Sequence, residues 1–279
     1  MTRLRTDDIA DIATNLTEYD SKLLWKTGCN LKGIACRAVG IDEEIASSVI
    51  EASLVAVVPT TCGLGVIPGF ANTIKEIAKH IGFKAFVTEE ADVCGLAESF
   101  EKKANIIMLA DDDRFVAINV KYGRVVDNTE ATGRGYVAAL NQMAGGLNGQ
   151  SVLVIGCGKV GRATGVALLR LGAELSVYDV DKRRGNDIAV ELKSSFSKEI
   201  NVEEKLEEVL GKYRCLIDAS PAANIIDEKH IFEDTIICAP GMPHGLSSGA
   251  LKKISSRFLH DPLQIGVATM IVDVVTGKT

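Results

Sequence analysis

No CxxC pair occurs among the seven cysteines, which stand at positions 29, 36, 62, 94, 157, 215 and 238. An odd set without close pairs is a poor disulfide framework and a poor zinc site. Cys215 and Cys238 sit inside apolar runs that read as strands, where a small buried thiol in a reducing compartment is the ordinary outcome. Histidine is scarce as well. The four residues, at 80, 230, 244 and 260, are so far apart that only the fold could join them into a metal site, and no metal is expected. Positive charge is not in excess: 31 Lys and Arg stand against 37 Asp and Glu, a formal net charge of -6. That balance argues against nucleic acid as the main partner, while leaving room for an anionic ligand held by backbone amides at a helix terminus. No apolar run reaches the ~20 residues a membrane span needs, and residues Met1 to Asp20 lack the clean apolar stretch of a signal peptide. A soluble, cytoplasmic protein with no membrane partner is the expectation.

What is present is an ordinary globular composition, 47% hydrophobic and 24% charged, over 279 residues, enough for one large or two moderate domains. Thr6 to Thr27 reads as helix, with Ile9, Ile12, Leu16, Tyr19 and Leu23 on one face. Leu31 to Val39 reads as a second helix, and a third starts near Asp42. The period then changes. Ser53 to Val58, ended by Pro59, looks like a buried strand, followed by the glycine-broken loop Thr60 to Gly69 and a helix from Phe70 to Ile81. Phe83 to Val87, Ile106 to Leu109 and Phe115 to Val120 are further strand candidates, and a helix spans Thr129 to Met143. Gly145, Gly146 and Gly149 mark a boundary. Beyond it strands at Ser151–Ile155, Leu175–Tyr178, Arg214–Asp218, Thr235–Ala239 and Arg257–His260 are expected, with helices at Lys159–Leu171, Asp181–Lys193 and Ile265–Val275. The fold class is α/β: a C-terminal Rossmann dinucleotide-binding domain (146–260), preceded by an N-terminal helical layer (1–50) and a small α/β substrate domain (51–145). A last helix (261–279) would pack back between the domains.

The strongest motif is Gly156-Cys157-Gly158-Lys159-Val160-Gly161, a GxGxxG string that follows a buried strand and opens a helix, the context such a motif requires. Gly156 permits the tight turn, Gly158 lets backbone approach a pyrophosphate, and Gly161 lets helix and strand pack. Asp179 ends the next strand, eighteen residues beyond Gly161. An acidic side chain there accepts hydrogen bonds from adenosine ribose hydroxyls and repels a 2′-phosphate, which favours NAD over NADP. Lys182, Arg183 and Arg184 follow at once and would attract a phosphate, so NADP stays open. Ala219, Ser220, Pro240 and Gly241 follow two later strands, where ligands bind in such sheets; each serves equally as a plain turn former.

A nicotinamide enzyme must also hold its substrate carbon against the cofactor. Candidate contacts come from three loops of the preceding domain: Thr60 to Pro68 with Leu64, the run Asp111-Asp112-Asp113, and Asp127 to Thr132 with Asn128. One aspartate of the run Asp111, Asp112 and Asp113 would hold a substrate ammonium or take a proton from it; a solvated turn accounts for the run equally well. Asn119 and Asn128 can orient polar groups without adding charge, and Asn128-Thr129 can instead cap the following helix. His260 and Asp261 look like an acid–base pair, yet adjacent residues point in different directions.

Several longer strings are more specific. They are Cys62 to Phe70, Val93 to Glu98, Ala110 to Phe115, Val126 to Val137 and Asp261 to Ala268, and the likeness they carry covers nearly the whole length. In these the sequence resembles the PylD family, the dehydrogenases of the last step of pyrrolysine biosynthesis. The resemblance implies NAD-dependent oxidation of the terminal amine of (3R)-3-methyl-D-ornithyl-N6-L-lysine, followed by ring closure and loss of ammonia. It implies a dipeptide-like substrate, a homodimer, and a substrate-facing acidic turn around Asp112. Composition and spacing alone support only an NAD-linked oxidoreductase. A dehydrogenase of another amino, hydroxy or keto acid and a dinucleotide sensor without turnover remain the alternatives.

Overall fold

The computed structural model describes residues 4–277. In chain order the elements are α1 (Thr6–Ile9), α2 (Ile12–Thr27), α3 (Leu31–Val39), α4 (Glu43–Ala52), β1 (Leu54–Val58), α5 (Phe70–His80), β2 (Lys84–Val87), α6 (Asp92–Glu101), β3 (Ile106–Ala110), β4 (Phe115–Asn119), β5 (Arg124–Asp127) and α7 (Asn128–Met143). There follow β6 (Ser151–Ile155), α8 (Lys159–Arg170), β7 (Glu174–Tyr178), α9 (Lys182–Phe196), β8 (Asn201–Val202), α10 (Leu206–Val209), β9 (Cys215–Asp218), β10 (Ile236–Ala239), α11 (Ser248–Ile254), β11 (Phe258–His260) and α12 (Gln264–Thr276). The chain forms two compact units. Among the described residues, one comprises 4–25, Cys29–Gly135 and 262–277; the other comprises Lys26–Gly28 and Tyr136–Asp261.

The first unit carries a five-stranded sheet in the order β2-β1-β3-β4-β5. β1 pairs in parallel with β2 and β3, whereas β3–β4 and β4–β5 are antiparallel. The C-terminal ends of β1, β2, β3 and β5 therefore share one edge of the sheet. Local chemistry sets the helices around it. Asn30 caps α3 by accepting the Gly33 N–H at 2.7 Å, and Asp42 caps α4 by accepting the Glu44 N–H at 2.9 Å. The long first helix expected from Thr6 is interrupted at Ala10–Asp11, where the Thr14 hydroxyl donates to the Asp11 carbonyl. α12 is the apolar heart of this unit: every residue from Gln264 to Val274 is buried. Its one carboxylate, Asp273, pairs with Arg124 at 2.5 Å and also with Arg134.

The second unit holds six parallel strands in the order β11-β10-β9-β6-β7-β8. That is the doubly wound arrangement, with its switch point between β6 and β9. Leu153, Ile155, Leu216, Ile237, Ala239 and Phe258 form part of a core on one face of the sheet.

Three boundaries are redrawn. The helical layer 1–50 is not separate, since α1, α3, α4 and all of α2 but its last two residues fall within the first unit. The division lies inside α7, after Gly135, and not at Gly145–Gly149; those glycines only turn the chain from α7 into β6, with the Gly149 N–H donating to the Gly172 carbonyl. The final helix, expected between the domains, packs on α3, α4 and α5 and on β3–β5 of the first unit, because burial all round leaves it no free apolar face.

Candidate dinucleotide site and substrate-side strand ends

In the second unit β6 runs into α8 through the glycine turn. Gly156 has φ +92°, and a Cβ on it would lie 2.9 Å from the Ser220 nitrogen. A Cβ on Gly161 would lie 1.8 Å from the Gly156 carbonyl oxygen, so helix and turn touch there with no room for a methyl. Gly158 is different: its Cβ would meet nothing within 4 Å. The protein's own packing does not require glycine at 158, and the open space is where a phosphate would approach backbone. Gly158 is also the N-cap of α8 and offers no side chain to the helix. The N–H groups of the first turn, at Lys159, Val160 and Gly161, lack intrahelical partners and suit an anion.

Asp179, just beyond β7, is fixed against this turn. Its Oδ2 accepts the Cys157 N–H at 2.7 Å and its Oδ1 accepts the Asp181 N–H at 2.8 Å. Burial, with the Asp179 charge, pushes the Cys157 thiol up to about 12. Of the basic run that follows, Lys182 pairs with Glu204 at 3.4 Å and Arg184 with Asp181 at 3.8 Å. Across the switch point the loops after β9 and β10 meet. The Ala219 N–H donates to the Ile155 carbonyl, and a Cβ on Gly241 would lie 2.0 Å from the Ser220 carbonyl oxygen. Gly156, Ala219, Ser220 and Gly241, with Pro240 adjoining, are thus brought together. All the residues expected to hold a dinucleotide line the C-terminal edge of one sheet, and they fit that group.

In the first unit the expected substrate loops converge on the shared strand-end edge. Thr60 donates through its hydroxyl to the Ala110 carbonyl, and the Thr61 N–H donates to Asp92 Oδ1 at 2.8 Å. The three aspartates have separate tasks. Asp111 builds the β3–β4 turn: its Oδ1 accepts the N–H groups of Arg114 at 2.7 Å and Asp113 at 2.8 Å, and these bonds hold its carboxyl below the usual range. Asp112 reaches the loop after β1, where its Oδ2 accepts the Leu64 N–H at 2.7 Å. A Cβ on Gly63 would lie 2.0 Å from that oxygen. Asp113 is exposed. Arg114 Nε lies 3.1 Å from Asp127 Oδ2, and Asp127, not Asn128, caps the start of α7 by accepting the Thr129 N–H at 2.9 Å. Asn128 is buried and its Oδ1 accepts from the Thr132 hydroxyl at 3.3 Å. Its Nδ2 is buried without a hydrogen-bond partner among the described residues, packed against α12, where a Cβ on Gly266 would lie 3.1 Å from it.

Asn119 does not belong to this group. It ends β4, opposite Ile106 at the start of β3, about 14 Å along the strand from the aspartate turn. Its amide is consumed there: Nδ2 donates to the Val274 carbonyl at 3.1 Å, and Oδ1 accepts the N–H groups of Lys121 and Tyr122. An asparagine at a strand end followed by a turn satisfies backbone groups first, so its polar character signalled the turn and not a ligand.

Among known proteins, the chain matches the family described as pyrrolysine biosynthesis protein PylD, N-terminal domain, over residues 8–126. It is 30% identical over 275 residues to the pyrrolysine synthase of Methanosarcina barkeri (strain Fusaro), covering 99% of this chain and 98% of that one. The chain belongs to the pyrrolysine synthase family. The pyrrolysine synthase of Methanosarcina acetivorans is 28% identical over 275 residues, covering 99% of this chain and all of that protein. Two solved structures share the fold: quinate dehydrogenase from Corynebacterium glutamicum in complex with NAD (TM-score 0.53, 16% identity, 81% of this chain and 94% of that one), and shikimate dehydrogenase from Aquifex aeolicus (TM-score 0.53, 17% identity, 81% and 93%). The family resemblance read from Cys62–Phe70, Ala110–Phe115 and Val126–Val137 is therefore kinship over the full length.

Two residues of the dinucleotide side were missed from sequence, Asp218 and Gly245. The Gly245 N–H donates to Asp218 Oδ2 at 2.7 Å. The available signal was a lone carboxylate closing the apolar run Cys215-Leu216-Ile217. Among the described residues no cluster of His, Cys, Asp and Glu could hold a metal ion, and no helix is long and apolar enough to cross a membrane.

Proposed function

We propose that this member of the pyrrolysine synthase family oxidises the terminal amine of (3R)-3-methyl-D-ornithyl-N6-L-lysine with NAD. Kinship over 99% of the chain to proteins named pyrrolysine synthase carries the reading, and the glycine turn with Asp179 supports NAD as the acceptor. When bound, NAD accepts the hydride from the carbon that bears the terminal amine, leaving a substrate imine. The α-amine of the same methylornithine part attacks that imine, ammonia leaves, and the pyrroline ring of pyrrolysine closes. The attack is intramolecular, so effective concentration favours it without a further nucleophile.

In this reading the first-turn amides of α8 hold the pyrophosphate, and Asp179 takes the adenosine ribose. Ala219, Ser220, Pro240 and Gly241 shape the nicotinamide side. Asp112 holds the terminal ammonium and receives the proton that must leave before hydride transfer. Its carboxylate is exposed yet anchored through Leu64, and Leu64, Asp113 and Asn128 complete the substrate contacts.

The test is purified protein with NAD and synthetic 3-methyl-D-ornithyl-lysine, following absorbance of the reduced cofactor and product mass. Reduced cofactor together with the mass of pyrrolysine is expected. No turnover, with dinucleotide binding verified in the same buffer, overturns the substrate assignment.

A further inference from the structure

Asp218 is a fully buried carboxylate that the reaction does not use directly. It ends β9 and stands opposite Ile155, the last residue of β6. Its Oδ1 accepts two hydrogen bonds from Ser220, from the N–H at 3.1 Å and from the hydroxyl at 2.7 Å. Its Oδ2 accepts the Gly245 N–H at 2.7 Å. Its own carbonyl accepts the Gly241 N–H at 3.0 Å. One residue therefore ties the loop after β9 to both ends of the loop after β10. The packing is equally close: a Cβ on Gly245 would lie 2.6 Å from Asp218 Oδ2, and one on Gly241 would lie 3.1 Å from the Asp218 carbonyl oxygen. Burial pushes the carboxyl above its ordinary range, while the Ser220 and Gly245 bonds pull the other way. Every side-chain partner is a donor, so a group that only accepts fits the arrangement and an amide does not.

The position has a consequence for a bound dinucleotide. The glycine turn after β6 and Asp179 after β7 serve the pyrophosphate and the adenosine half. β9 and β10 lie on the other side of β6. A dinucleotide seated on the turn must lay its nicotinamide half over the two loops that Asp218 ties together. We propose that Asp218 is the positioning residue for the nicotinamide half of the cofactor, acting through Ser220, Gly241 and Gly245. This rests on the second unit binding NAD as proposed above.

The experiment is calorimetric titration of the full chain with NAD and, separately, with ADP, which carries the adenosine half alone. Asp218→Asn keeps the side chain's shape but turns an N–H₂ toward either Gly245 or Ser220. NAD is expected to bind at least tenfold more weakly in this variant, with ADP affinity within twofold of the parent. A buried carboxylate that merely supports the fold would lower both affinities together, and that result, or unchanged NAD affinity, overturns the proposal. Parent protein that binds neither ligand overturns the dinucleotide reading itself, and the proposal with it; parent that binds both separates the two. Should Asp218→Asn not fold, Ser220→Ala removes one bond and leaves the carboxylate in place. It is expected to weaken NAD about threefold and ADP not at all, and equal NAD affinity in that variant overturns the proposal.

Discussion

Two polar residues on neighbouring strand connections, Asp112 and Asn119, separate chemistry from architecture. Asp112 is held by the Leu64 N–H and is exposed, so its charge lies where an ammonium from solvent can reach it. Asp112→Asn is expected to lower kcat/KM by about 10²-fold, the scale of a lost proton acceptor, with NAD affinity unchanged; steady-state kinetics with the synthetic substrate decide it, and full activity would refute the role. Asn119→Ala should behave in the opposite way. It strands the Val274 carbonyl and two N–H groups, so about 1–3 kcal/mol of stability should be lost while KM stays put; denaturant unfolding alongside kinetics reads both. The cysteines offer a third contrast. Cys62 and Cys94 are exposed, whereas Cys157 is half-buried beside Asp179 with its thiol pushed up to about 12. Iodoacetamide at pH 8 should label the first two and spare Cys157, since the thiolate is the reacting form; peptide mass mapping checks it.

At the scale of elements, the β6–α8 junction is the most exacting. Gly161→Ala would press a methyl onto the Gly156 carbonyl oxygen. Shifting α8 to relieve this should cost about 1–3 kcal/mol and weaken NAD at least tenfold; parental affinity in that variant would sink the packing argument. This junction was legible in sequence because its constraints are local: apolar run, three glycines, helix, acidic strand end. α6 was not legible, and the reason is physical. Val93, Leu96 and Phe100 recur at helical spacing but face outward, while Gly95 and Ser99 are buried, the reverse of ordinary amphipathicity. A Cβ on Gly95 would lie 2.4 Å from the Glu90 carbonyl oxygen, so close approach of backbone and not an apolar face seats this helix. β5 was missed because four residues that include Arg124 and an exposed Val125 carry little pattern. The loop after β10 adds a pH effect. His244 packs edge-on against His260 at 5.0 Å and Phe258 at 5.2 Å; burial, then the His260 charge, lowers its pKa. A histidine depressed in the folded state supports stability above its unfolded pKa, about 6.5, and loses that support as pH falls through the folded value. His244→Gln should therefore flatten the fall in Tm between pH 7 and pH 5. Asp218, raised by burial, acts in the opposite sense and stays in place in that variant. An undiminished fall in Tm would refute the assignment.

At the scale of the whole chain, the first unit is closed by its own C-terminal segment, and that closure was the least legible feature. Reading along the sequence divides it into successive blocks, whereas this unit joins residues 4–25, Cys29–Gly135 and 262–277. α12 showed itself as an apolar helix, but which core it completes depends on contacts more than a hundred residues away, such as those of Asp273 with Arg124 and Arg134. The energy at stake is large. Ile265, Val267, Met270, Ile271, Val272 and Val274 are all essentially inaccessible. At about 1.5–3 kcal/mol each, their burial is on the order of 10 kcal/mol, comparable with the whole stability of a typical domain. Ending the chain after Asp261 should thus unfold the first unit. The second unit keeps all six strands and its own apolar core, together with the glycine turn and Asp218. Limited proteolysis of the truncated chain should digest Cys29–Gly135 and leave Tyr136–Asp261 protected, with ADP still binding within a few-fold of the parent. Protection of β1–β5 in that chain would mean the first core closes without its last helix, and loss of ADP binding would mean the nucleotide unit needs more than its own sheet.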